Sequence, residues 1–95
     1  MARLTLLSSV STNSSGDAVQ LTGGVMTFAA WGTWDTATVT LEYSPDGGTT
    51  WIAVGSDTTL TADGVANFQL PAGTYIRATV SSVGGSTSVS AQAYQ

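Results

Sequence analysis

The segment ATVTLEYSPDGGTTW, residues 37–51, decides the fold because it contains a strand, a tight turn and the start of a second strand. From Ala37 to Tyr43 apolar residues alternate with threonine or glutamate, which is the period of a β-strand with one buried face. The turn Pro45-Asp46-Gly47-Gly48 follows, and a second strand is predicted from Thr50 to Val54. A turn of this composition between two such segments predicts a β-hairpin.

The same alternation recurs in the rest of the chain, and no window keeps the helical period over three turns. Glycine-rich turns separate the alternating segments at intervals of about eight to twelve residues. We therefore predict an all-β fold, a single antiparallel β-sandwich of about seven strands, with an immunoglobulin-like order as the first choice and a small jelly roll as the second. Four further strands are predicted to face the core with Met26, Phe28, Ala30, Ala66, Phe68, Leu70, Ile76, Ala78, Val80, Val89, Ala91 and Ala93.

The composition indicates one domain with an almost uncharged surface. Ninety-five residues suffice for one hydrophobic core, so residues 1–95 are predicted to form a single β-sandwich domain. The polar surface comes mostly from 16 Thr and 12 Ser, while charged residues make up only 8% of the chain, against roughly 25% in an average soluble domain. Lysine, which commonly guards exposed strand edges, is absent. The edges are therefore either shielded within a monomer or paired in a homo-oligomer.

Several classes of chemistry are excluded by the residues that the chain lacks. Without His or Cys there is no Ser-His triad, no Cys-His pair, no zinc site built on these ligands and no disulfide. Two arginines against six acids, a net charge of −4, do not neutralise a nucleic-acid backbone. No apolar run approaches the ~18 residues of a membrane span. We expect no enzyme, no cofactor, no nucleic-acid partner and no membrane partner.

The first 17 residues are predicted to contain a strand and an arm. Leu4, Leu6 and Leu7 form a short apolar strand, which we interpret as an anchor for assembly. The stretch Ser8–Gly16 that follows is too polar to pack, and it is predicted to be a flexible arm that orders on assembly. Arg3 and Arg77, the two cations, are predicted to form single ion pairs or to contact a neighbouring subunit.

The turn of the central hairpin matches the Asp-box pattern S-x-D-x-G-x-T-W with Ser44, Asp46, Gly48 and Trp51. In this motif the aspartate accepts backbone N–H bonds within the turn, the glycine permits a positive φ, and the tryptophan covers the hairpin. The motif is similar to those of sialidases and of many unrelated β-proteins, where it is structural. We predict a structural hairpin staple here, with a ligand role as the alternative.

Trp31 and Trp34 are the candidate ligand or interface aromatics. They flank a turn between strands, where the binding loops of sandwiches lie. Together with Trp51 and Tyr43 they would form a flat platform for sugar rings. The alternative is that these side chains plug the end of a small core or form an intersubunit contact.

The segment from Trp31 to Val80 resembles the small β-sandwich proteins of tailed-phage virions. The resemblance is carried by Ala37–Trp51, Leu60–Gly64 and Phe68–Ala78 and covers about half of the chain. It implies a head-decoration, head-fibre or tail-associated role in many copies. It brings no catalytic residue.

Residues and resemblance together predict a non-enzymatic structural protein of a phage virion, namely a capsid decoration protein that stabilises the shell. Its expected partners are the major capsid protein or other virion proteins and further copies of itself. The alternatives are a tail-associated structural protein and a virion-surface adhesion module that weakly binds a host glycan. Because the start of the chain has no apolar signal segment, we expect assembly in the host cytoplasm and a final location on the capsid surface.

Overall fold

The computed structural model of the chain describes residues 3–16, 18–20, 24–70 and 73–94, without the side chains of Arg3, Gly24, Val25 and Asp57. A 3-10 turn at Ser56–Thr58 is the only helical element in these ranges. The strands are β1 (Arg3–Val10), β2 (Ser14–Ser15), β3 (Val19–Gln20), β4 (Gly24–Thr33), β5 (Thr38–Ser44), β6 (Ile52–Ala53), β7 (Thr59–Leu60), β8 (Gly64–Leu70), β9 (Tyr75–Ser81) and β10 (Ser88–Tyr94).

The strands form two antiparallel sheets. The four-stranded sheet has the order β1-β10-β4-β8. The six-stranded sheet has β9 and β5 at its centre, with β2 and β3 on the outer edge of β9 and β6 and β7 on the outer edge of β5. From β4 onwards the long strands alternate between the two sheets along the chain, and the short strands β2 and β3 of the six-stranded sheet lie between β1 and β4, which gives a jelly roll. The all-β sandwich is therefore confirmed, and of the two strand orders predicted the structure has the jelly-roll one.

The core lies between the two sheets and is filled by alternate residues of the long strands. The largest side chains in it are those of Phe28 and Met26 from β4 and Leu41 from β5, all at most 1% exposed. Strand β9 of one sheet and strand β10 of the other add smaller buried residues, among them Ala78, Ala91 and Ala93. The predicted inward residues of β4, β9 and β10 are all buried, which confirms the alternation of these strands. In β8 only Phe68 is buried, whereas Ala66 and Leu70 are partly exposed, as is Tyr43 at the end of β5.

Strand β1 corrects the prediction of an anchor strand. Its pairing with β10 slips between Thr5 and Leu7, and at such a bulge two successive side chains can face the same way. Leu6 and Leu7 are consequently both only 3% exposed and belong to the core, and Leu4 packs against it. These three leucines pack in or against the core of their own chain and therefore do not form an exposed assembly contact.

The predicted arm is also corrected. Residues 8–10 continue β1, and Ser14–Ser15 pair with Val80 and Thr79 of β9. The backbone N–H of Gly16 donates to the carbonyl oxygen of Ala78 at 2.8 Å. This polar stretch is held by main-chain hydrogen bonds, which need no apolar side chains, whereas the prediction considered only side-chain packing. Residues 1, 2 and 17 of the predicted N-terminal region, which comprised a strand and the arm, lie outside the described residues.

The strand predicted from Thr50 to Val54 is much shorter in the structure. Only β6, Ile52–Ala53, pairs with Tyr43 and Glu42 of β5. The chain then turns at Gly55 and returns to β5 as β7. The break follows from the 3-10 turn, in which the buried Thr58 donates its hydroxyl to the carbonyl of Gly55. The edge of this sheet is therefore divided into two very short strands.

None of the helical structure in the described residues is long and apolar enough to cross a membrane.

The core position of β1 is tested by Leu7→Ala. We expect a loss of about 2 to 4 kcal/mol in the free energy of unfolding, the usual cost of truncating a buried leucine. Chemical denaturation followed by tryptophan fluorescence measures it. Val65→Ala is the control, because Val65 is 67% exposed and should change stability by no more than about 0.5 kcal/mol. Equal effects of the two substitutions would contradict the core position.

Candidate interaction surfaces

The outer face of the four-stranded sheet carries no charged side chain among the residues described there. We call it the uncharged face. Since the inward positions of β4, β8 and β10 are filled by the core, the intervening residues point away from it. The described side chains of the uncharged face on these three strands are Thr27, Ala29, Trp31, Thr33, Val65, Asn67, Gln69, Ser88, Ser90, Gln92 and Tyr94.

Two large apolar side chains are exposed on the uncharged face. Trp31 on β4 is 41% exposed and Val65 on β8 is 67% exposed. Ala29 lies beside Val65 in the register and opposite Gln92 of β10. The indole, a methyl group and amide side chains therefore share one flat surface. The described side chains of this surface can be desolvated at low electrostatic cost, since none of them is an ion that must lose its water.

The outer face of the six-stranded sheet is different because it carries an ion pair. Arg77 Nε donates to Glu42 Oε1 at 2.9 Å, and the hydroxyl of Thr79 donates to the same oxygen at 2.6 Å. The guanidinium also lies over the ring of Trp51, with Cζ 4.4 Å from the ring centroid. Arg77 is thus engaged by two partners in its own chain, and Trp51 stacks on a cation. The ion pair with Glu42 is one of the two environments predicted for Arg77, and the other, a contact with a neighbouring subunit, stays a prediction.

The tryptophans are not brought together into one platform. Trp34 is partly buried against the core, and its Nε1 donates to Asp63 Oδ1 at 2.7 Å. The same carboxylate oxygen accepts the backbone N–H of Gly32 at 3.0 Å. Trp31 stands on the uncharged face and Trp51 on the opposite sheet. The proposed sugar platform of three tryptophans is therefore corrected, because strand alternation and the sandwich separate their side chains.

Asp46 organises the turn after β5. Its Oδ1 accepts the hydroxyl of Ser44 at 2.9 Å and the backbone N–H groups of Thr49 at 3.2 Å and Thr50 at 2.8 Å. The Ser44 hydroxyl oxygen in turn accepts the N–H of Gly48, a residue with φ of +112°. Hydrogen bonds from Thr50 and Ser44 to the ionised carboxylate lower the pKa of Asp46 to about 2. The residues of the predicted staple except Trp51 meet in this network.

The remaining predicted assembly residues have different surroundings. Arg3 is paired with Tyr94 at the end of β1, and its side chain is outside the described residues. Leu4, Leu6 and Leu7 are placed in or against the core, as described above. Sequence analysis missed Val65, Asn67 and Gln69. The sequence did contain a signal for this surface, because none of the outward residues in the segment 64–70 is charged.

The surface grooves offer little chemistry. A groove of about 390 Å³ lies beside the hairpin turn and is lined by Tyr43, Ser44, Pro45, Gly47, Leu70, Gly73 and Thr74. This lining contains no carboxylate. Within the described ranges there is also no cluster of three or more acidic side chains able to hold a metal ion.

Comparison with known proteins gives the fold. No protein-family model matches the chain, and no curated protein sequence matches it. Among solved structures it is similar to the SPBc2 prophage-derived protein YomS, with a TM-score of 0.79, 12% identity, and coverage of 97% of this chain and 88% of that one. It is also similar to murine APRIL, with a TM-score of 0.50, 9% identity and 98% coverage of both chains. At such identities the likeness is one of fold, a jelly roll.

The hydrogen bonds of Asp46 predict a stability that depends on pH. A carboxyl group whose pKa is lowered on folding stabilises the protein above its unfolded value and loses this contribution as the pH falls. Unfolding experiments should therefore show a loss of stability between about pH 4 and pH 2, since the pKa of Asp46 drops from 3.8 to about 2. Asp46→Asn should reduce this loss. In Ser44→Ala the carboxyl titration of Asp46, measured by NMR, should move towards 3.8, and an unchanged midpoint would contradict the role of the serine.

Proposed function

We propose that this chain is a non-enzymatic structural protein of a phage virion, and more specifically a capsid decoration protein that binds the shell in many copies. The observation that carries the proposal is the uncharged face. It combines exposed apolar side chains, Trp31 and Val65, with amides and hydroxyls on one flat sheet. The cores of protein–protein interfaces are similarly depleted of charge and enriched in aromatic residues.

Two further findings support a phage origin. The chain shares its fold, over almost its whole length, with a prophage-derived protein. The segment from Trp31 to Val80 also resembles small virion proteins in its sequence. The proposed partners are the major capsid protein or other virion proteins, together with further copies of this chain. The proposed location is the capsid surface, after assembly in the host cytoplasm.

The net charge of the chain supports contact through the uncharged face. Each copy carries a formal charge of −4, so neighbouring copies on a shell repel one another at long range. Contacts through an uncharged surface bring no acids into direct opposition. They also leave Glu42, Asp46 and their bonded partners undisturbed on the other sheet.

Mass spectrometry of purified particles tests the proposal first. We expect the chain to be present at a copy number comparable with that of the capsomers. Absence from the particles would remove the virion role, and a few copies only would favour the tail-associated alternative. Shells prepared without the chain should also bind the purified protein.

The surface used for binding is tested with Trp31→Ala on such shells. If Trp31 is an interface hot spot, its truncation should weaken binding about 30-fold, the ratio that corresponds to about 2 kcal/mol. Ile52→Ala is the matched control, because Ile52 is 44% exposed but lies on the other sheet. Binding that weakens equally in both variants would contradict the assignment of the uncharged face.

A second candidate function, a virion-surface adhesion module for a host glycan, is favoured by Trp31 alone. Its indole stands on a flat surface beside Ser90 of β10, and aromatic rings on polar surfaces stack on sugar rings. Titration with glycans should then change the tryptophan fluorescence of the protein, and Trp31→Ala should abolish the change. Fluorescence that stays constant over a glycan panel would remove this candidate.

A further inference from the structure

The sheet edges of the molecule are protected unequally. On the six-stranded sheet the edges are formed by strands of two residues, β2 and β3 on one side and β6 and β7 on the other. On the four-stranded sheet, the pairing of β1 is irregular between Thr5 and Leu7 and again between Leu7 and Val10. Very short edge strands and bulges are the usual devices against edge-to-edge pairing.

Strand β8 has none of these devices. Its seven residues pair with β4 in an unbroken register, from Gly64 opposite Ala30 to Leu70 opposite Gly24. No strand of the described chain pairs with its outer edge. The strand contains no charge and no proline. The 3-10 turn at Ser56–Thr58 packs near β8, but no described strand takes up the main-chain donors and acceptors of its outer edge, so these can pair with a strand of matching length.

We infer that the β8 edge pairs antiparallel with the β8 edge of a second copy of this chain, in a register centred on Asn67. The inference deepens the proposed homo-oligomer by naming its contact, and it rests on that part of the proposed function. The two four-stranded sheets then form one sheet of eight strands. A two-fold axis through the pair of Asn67 residues relates the copies.

The sequence of β8 is complementary to itself in this register. Val65 lies opposite Gln69 of the second copy and Ala66 lies opposite Phe68, so outward residues meet outward ones and inward residues meet inward ones. At the centre Asn67 lies opposite Asn67. Its Oδ1 accepts the hydroxyl of Thr27 at 2.9 Å, and none of the hydrogen bonds of the described residues uses its amide nitrogen. That nitrogen can donate to the amide oxygen of the second copy.

The charge distribution favours a second copy as the occupant. Two chains with a charge of −4 each can approach where neither presents an ion, and the whole of β8 meets this condition. Asp63, the acid that precedes β8, is held by Trp34 Nε1 and the N–H of Gly32. The pairing also leaves both copies of Trp31 on the same side of the continuous sheet, where both can face one shell.

The absence of native cysteine allows a direct test by cross-linking. In the paired register the Asn67→Cys thiols of the two copies are opposite each other, with Cα atoms about 4.5 to 5.5 Å apart, within the range of a disulfide. The control is Val65→Cys, whose side chain is 67% exposed. In the same register its two thiols are separated by four residues along the strand, roughly 13 Å, and cannot join.

We expect the wild-type chain to show a concentration-dependent dimer in light scattering. Under mild oxidation Asn67→Cys should form covalent dimers roughly a hundredfold faster than Val65→Cys, because pairing holds its thiols at millimolar effective concentration. A mixture of Val65→Cys and Gln69→Cys copies should also cross-link, and this arm does not depend on replacing Asn67. Thermal unfolding of each variant checks that it is folded.

Two results would overturn the inference. One is a wild-type chain that stays monomeric over the whole concentration range, which includes the case that a foreign strand occupies the edge. The other is cross-linking of Val65→Cys as fast as that of Asn67→Cys, which indicates random collision. Shell binding is a separate readout. A chain that cross-links through Asn67→Cys but does not bind shells retains this contact and loses the virion role.

Discussion

The structure depends on one constraint, the burial of a single face of every long strand between two sheets. Phe28, Met26 and Leu41 supply most of the volume, and the alanines of β9 and β10 let the sheets approach. In a chain of 95 residues this core uses nearly all of the strongly apolar side chains. What remains for function is the outer faces of the sheets and their edges. A deep binding pocket in so small a domain would replace side chains of the core and so destabilise the fold.

The few charged side chains are also engaged within the molecule. The described acids are used locally: Asp46 closes a turn, Asp63 holds Trp34 and Gly32, Asp35 accepts the N–H of Ser86, and Glu42 binds Arg77. Each of these four carboxylates therefore has a hydrogen-bond partner within the chain. On the four-stranded sheet, the described outward side chains of β4, β8 and β10 are hydroxyls, amides and apolar groups. The one ion pair among the described residues thus lies on the outer face of the six-stranded sheet.

The sequence predicted the core better than the surface. Period-two alternation placed Ile76, Ala78 and Val80 correctly, because a buried face requires it whatever the topology. The same rule failed in β1, where a bulge turns both Leu6 and Leu7 inward. The prediction of a flexible arm at residues 8–16 failed for another reason, because residues 8–10 continue β1 and residues 14–16 bond to β9 through main-chain groups that side-chain composition does not reveal. The predicted aromatic platform was wrong because Trp31 is exposed on the outer face of a sheet, whereas Trp34 is partly buried against the core.

By itself the sequence determined the fold class, the inward face of the long strands and the absence of histidine and cysteine chemistry, since these follow from local periodicity and composition. Tertiary structure alone decided which sheet each strand joins, which edges are left open and which outward residues share a face. The reason is that strand pairing is formed by backbone groups that every sequence possesses. Val65, Asn67 and Gln69 lie on an edge strand because β8 is the outermost strand of its sheet, and this position is set by tertiary structure.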